Sequence, residues 1–148
     1  MSRQAAIALL TVTLGCGGQV GYQTAPKVAG SQGESLLIEL VVRDAWMGDN
    51  RYLASYDAMA PRGALKISGR KRGGRSLSLA EIRQLVGLVE TKLLEATSVP
   101  ATCEDCVEYY LLVRLGDRSH FAILHETGSG PPPEVSELLS ALGERNAS

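Results

Sequence analysis

The stretch Leu36-Leu37-Ile38-Glu39-Leu40-Val41-Val42-Arg43 decides the fold class. Leu36, Ile38, Leu40 and Val42 share one side of an extended chain, with Glu39 and Arg43 on the other, because successive side chains of a strand point to opposite faces. Such alternation predicts a half-buried strand. Downstream comes a loop holding Trp46, Met47, Gly48, Asp49 and Asn50. A second strand over 52–56 then puts Tyr52, Ala54 and Tyr56 on one face. Pro61 and Gly63 break the chain, and residues 64–71 read as a third strand built on Leu65 and Ile67, ended by Gly73-Gly74.

The periodicity then changes. Ser78-Leu79-Ala80-Glu81 is a capping box, in which Ser78 and Glu81 satisfy each other's backbone N–H groups. It opens a helix carrying Leu79, Ile82, Leu85, Val86, Val89 and Leu93 at helical spacing, with Pro100 as its expected stop. Residues 107–115 and 119–125 read as a fourth and fifth strand joined by a Gly116-Asp117 turn. A closing helix over 134–142 turns Val135, Leu138, Leu139 and Leu142 inward. The order β-β-β-α-β-β-α with short connections implies an α+β domain: an antiparallel sheet of about five strands with helices on one face.

Upstream of Leu36 the composition shifts. Residues 17–34 are rich in Gly, Gln, Ser, Ala and Pro, a flexible tether spanning roughly 20–25 Å as a coil. Before it, Met1-Ser2-Arg3-Gln4 carries one positive charge, and Ala5 to Leu14 is an apolar run of signal-peptide length, too short to cross a bilayer. The run ends in Thr13-Leu14-Gly15-Cys16, which resembles the bacterial lipobox, with Thr13 where that motif usually has Leu. The resemblance implies cleavage before Cys16 and acylation of its thiol and new amino terminus. Gly17 resembles the pattern of lipoproteins forwarded to the outer membrane. The expected organisation is a signal peptide at 1–15, lipidated Cys16 and tether over 16–34, and one domain over 35–148. The expected location is the cell envelope, with the membrane as a partner through the lipid.

Three cysteines are an odd number for an exported chain. Lipidation of Cys16 leaves Cys103 and Cys106, which export favours as a small-loop disulfide. Cys103-x2-Cys106-x13-His120-x4-His125 also has the spacing of a Cys2His2 zinc site. Two histidines five positions apart on a strand point to opposite faces, so the zinc reading is set behind the disulfide. A redox role is disfavoured because Glu104 and Asp105 lie between the cysteines and a strand, not a helix, follows. No metal or cofactor is expected.

Fifteen Lys and Arg against sixteen Asp and Glu lack the basic excess of a nucleic-acid binder. No nucleophile elbow or phosphate-cradling Gly loop is present, and Ser119-His120 are neighbours on a strand, so the chain is read as non-catalytic. Trp46, Met47 and Gly48, with Arg51, form a candidate binding loop; the commoner fate of such a Trp-Met pair is to fold back over the core. Arg70, Lys71, Arg72 and Arg75 cluster around Gly73-Gly74, either as a contact for anionic headgroups or an acidic partner, or as a solvated hairpin tip.

These elements together resemble the emfourin-type inhibitors of thermolysin-like metalloproteases. The resemblance rests on Ala45-Trp46-Met47-Gly48 after the opening strand and on the Ser78-Leu79-Ala80-Glu81-Ile82-Arg83-Gln84-Leu85 helix. It extends to the acidic, aromatic strand from Asp105, Val107, Glu108, Tyr109 and Tyr110 to His120, and to Pro133 with Leu139. It implies a protease-inhibitor-like, protein-binding domain whose partner is a protease. A structural envelope lipoprotein with an envelope-protein partner is the alternative.

Overall fold

The computed structural model describes residues 33–101 and 103–144; the expected leader, Cys16 and nearly all of the tether lie outside them. The strands are β1 (Leu36–Arg43), β2 (Asn50–Asp57), β3 (Arg62–Gly69), β4 (Gly73–Leu77), β5 (Glu108–Leu115) and β6 (Arg118–His125). The helices are α1 (Leu79–Thr91) and α2 (Pro133–Ala141), with a 3-10 turn at Leu93–Glu95. All neighbours pair antiparallel in the order β4-β3-β2-β1-β5-β6, so the α+β reading holds with six strands.

The alternation in β1 is realised with Leu36, Ile38 and Leu40 buried. They meet Tyr52, Ala54 and Tyr56 of β2 and Leu111, Val113 and Leu115 of β5 across the ladder. Onto this face pack Ile82, Leu85, Val86, Leu88 and Val89 of α1, with Leu93 of the 3-10 turn and Val135 and Leu138 of α2, in one core. The opposite face of the sheet carries Leu37, Val41, Leu53, Tyr110, Leu112, Phe121 and Ile123, all of them part-exposed or exposed.

β3 ends at Gly69 rather than at Lys71, and β4 is a strand that the sequence pattern does not predict. Of β4 only Leu77 is buried, so it carries no alternation to read. Two features of α1 also differ. Leu79 is exposed, because as the first helical residue it precedes the turn that faces the sheet. The helix ends at Thr91 rather than near Pro100. The chain after Ala96 is instead drawn to the edge of β6: Ile123 N–H donates to Ser98 Oγ at 2.9 Å, and Val99 N–H donates to the Ile123 carbonyl at 3.1 Å. The capping box forms as expected, with Glu81 N–H donating to Ser78 Oγ and Ser78 N–H donating to Glu81 Oε2.

Candidate functional site

The β1–β2 connection is a turn organised by one carboxylate. Asp44 Oδ1 accepts from the Trp46 N–H at 2.9 Å and the Met47 N–H at 3.0 Å. The Gly48 N–H closes the turn on the Asp44 carbonyl at 2.9 Å. Asp in this role replaces a backbone acceptor, which is why it favours turns. Gly48 takes φ +82°, a left-handed conformation natural to glycine. At the root, Arg43 lies over the Tyr110 ring at 5.0 Å and 3.8 Å from Asp49. Tyr110 in turn donates to Glu108 at 2.6 Å, a bond that raises the phenol pKa.

With its backbone tied inward, the turn aims its side chains out. Trp46 is 79% exposed and Met47 54% exposed, so the pair does not fold back over the core. The expectation of a fold-back fails because Asp44 fixes the turn before the side chains can reach the sheet.

The β3–β4 tip comes up beside this turn. Arg70 N–H donates to the Asp49 carbonyl at 3.1 Å, Lys71 N–H to Asn50 Oδ1 at 2.8 Å, and Arg70 Nη1 lies 3.2 Å from Met47 Sδ. Gly69, at φ +110°, makes the approach possible: a Cβ there would collide with the Asp49 carbonyl. Lys71 Nζ also pairs with Glu144 at 2.7 Å, which raises the Lys71 pKa and ties the tip to the chain beyond α2. The loop and the basic cluster, separate readings in the sequence, thus form one surface. Residue 69 carries the signal, but only the β2–β3 register gives it meaning.

Arg51 stands apart from that surface. It lies on β2 opposite Val41, where its guanidinium pairs with Glu39 at 2.7 Å. Arg75 also turns away, toward Glu81 at 2.7 Å and the Leu142 carbonyl at 3.1 Å.

Cys103 and Cys106 lie at disulfide distance, with Cα atoms 5.4 Å apart. Glu104 and Asp105 between them are exposed. His120 and His125 occupy opposite faces of β6. The His120 Nε2 is 2.6 Å from the Ala96 carbonyl, whereas His125 Nδ1 is buried without a hydrogen-bond partner among the described residues. Beneath the same end of the sheet, burial pushes the Tyr109 phenol up to about 12, with Glu126 and Asp44 adding to the rise.

Among the described residues, no cluster of His, Cys, Asp and Glu could hold a metal ion, and no helix is long and apolar enough to cross a membrane. A shallow groove between α1 and α2, of about 330 Å³, is lined by Gln84, Leu88, Thr91, Glu137, Ser140 and Ala141. No family model, curated protein or solved structure matches this chain.

Proposed function

We propose that this chain is an exported, lipid-anchored, non-catalytic module that binds a protein partner through the Trp46–Met47 turn, in the manner of a protease inhibitor. The observation that carries the reading is a tryptophan 79% exposed on a turn already fixed by Asp44 and braced by the β3–β4 tip. Tryptophan dominates binding energy where it fills a partner's pocket. A turn ordered before binding loses little entropy on docking. Lipid attachment is supported by Thr13-Leu14-Gly15-Cys16 and by the pairing of the other two cysteines, which leaves Cys16 as the odd thiol.

The test is inhibition and capture of a thermolysin-like metalloprotease by the full chain, beside Trp46→Ala. The expected result is inhibition by the parent, lost in the variant without a change in thermal midpoint. A parent chain that neither inhibits nor captures any partner overturns the reading. For the anchor, incorporation of a labelled fatty acid is expected in the parent and absent in Cys16→Ala.

A structural envelope role is the second reading, favoured by the helix-free face of the sheet, where Phe121 is 53% exposed. It predicts abundant, stoichiometric crosslinks from positions on that face to envelope neighbours, rather than to one protease.

A further inference from the structure

The end of the sheet that carries Trp46 has a charge order of its own. The tip of the β3–β4 hairpin, the β1–β2 turn and the segment entering β5 all lie at this end, because β1 and β3 finish here while β2, β4 and β5 begin. The Cys103–Cys106 segment belongs here too. The chain leaves the β6 edge at Val99, opposite Ile123, and enters β5 at Glu108, opposite His125, the last residue of β6. Read across the sheet order, the end runs from Arg70 and Arg72, through Trp46 and Met47, to Glu104 and Asp105. Strands lie about 4.8 Å apart, so the backbone of each charged segment sits roughly 10 Å to one side of the turn, with the Arg70 side chain reaching inward to Met47 Sδ.

The charges are available. Arg72, Glu104 and Asp105 are exposed and make no ion pair among the described residues; Arg70 touches only Met47 Sδ with its side chain. Lys71 is already engaged by Glu144. Two exposed cations therefore lie on one side and two exposed anions on the other, with an exposed indole and the mutually paired Arg43 and Asp49 between.

We propose that this end of the sheet docks a second copy of the same chain, Trp46 against Trp46. A two-fold axis through the Trp46 turn, parallel to the sheet normal, reverses the direction across the sheet. It sets Arg70 and Arg72 of one protomer over Glu104 and Asp105 of its partner, twice. An isologous contact requires a surface complementary to itself, and a positive–apolar–negative order meets that condition. The other in-plane two-fold would set like charge on like and is repelled. The contact covers the turn offered above to a protease, so self-association and capture of a partner compete. The dimer nevertheless stands or falls independently of that role and of the lipid.

The experiment uses the full chain with Cys16→Ser, purified in mild detergent, so that neither lipid nor that thiol links copies. Ala45→Cys, beside Trp46, is expected to give a disulfide dimer under mild oxidation. Met59→Cys, 92% exposed on the β2–β3 turn at the far end, is not. In the Ala45→Cys background, Arg70→Glu with Arg72→Glu is expected to cut the dimer by about tenfold or more, as is Glu104→Lys with Asp105→Lys, because each places like charges together. Mixing the two charge-reversed chains, one with a size tag, is expected to restore a mixed dimer, since opposite charges face again at both sites. That rescue also shows that both variants are folded. Crosslinking at Ala45→Cys no greater than at Met59→Cys, indifference to charge reversal, or failure of the mixed pair each overturns the proposal.

Discussion

At the scale of single residues, Trp46 and Gly69 act in opposite ways at the same end of the sheet. Trp46 contributes little to the core, so Trp46→Ala is expected to change stability by less than about 0.5 kcal/mol in a denaturant titration while removing partner binding. Gly69 touches no ligand but holds the tip in place. Gly69→Ala must leave φ +110° or displace the Asp49 carbonyl, and is expected to cost about 1–3 kcal/mol by the same titration. It should also weaken binding, because the tip that braces the turn moves. Tyr109 gives a spectroscopic check. Its phenol keeps its proton in the folded chain up to about 12, whereas an unfolded tyrosine loses it near 10. Folded stability from this group is therefore lost as pH rises between those values, and Tyr109→Phe should remove the last tyrosinate step in ultraviolet absorbance. Trp46 was legible in the sequence as a loop residue and a candidate for binding. Its exposure was not, because that depends on Asp44 accepting two backbone bonds.

Among the elements, α1 shows most directly how local sequence becomes packing. Ser78 and Glu81 cap it, and Arg75 of the neighbouring strand reaches the same carboxylate at 2.7 Å. The backbone bond from Ser78 and the bond from Arg75 lower the Glu81 carboxyl to about 2 from 4.5. A lowered carboxylate stabilises the fold fully above its unfolded value and loses that contribution as pH falls through the folded one. Acid should therefore destabilise the chain between about 4.5 and about 2, and Glu81→Gln should flatten that part of the pH profile of the unfolding midpoint. Ser78→Ala is expected to cost about 1 kcal/mol at neutral pH. The capping box was readable because its spacing is local and chemical. β4 was not, because Gly73-Gly74-Arg75-Ser76 shows no apolar alternation and becomes a strand only by pairing with β3. Arg75 explains how such an edge is kept from recruiting other strands: it turns onto the helix side, an inward charge that disfavours edge pairing.

For the molecule as a whole, the α+β class followed from the alternation of β1 and the periodicity of α1. The meeting of the Trp46 turn with the Arg70–Arg72 tip did not, because it needs the register of three strands at once. The Cys103–Cys106 clip spans so short a loop that closing it removes little unfolded-state entropy. Replacing both cysteines by Ser is expected to lower stability by about 2 kcal/mol or less and to leave the sheet intact by circular dichroism. One further consequence follows from the position of β1. It is the first strand among the described residues, yet it lies inside the sheet, and its partner on one side is β5, with Leu36 opposite Leu115. Local hairpins among β1, β2, β3 and β4 can form early and α1 can follow, but β1 lacks its second neighbour, and the core lacks Leu111, Val113 and Leu115, until the last third of the domain has been made. Pairings this distant in sequence are slow to close. A chain emerging amino-terminus first therefore holds an incomplete sheet until β5 appears. Chains stalled before residue 108 should be cleaved rapidly by added protease, and chains stalled well after residue 125 should resist it.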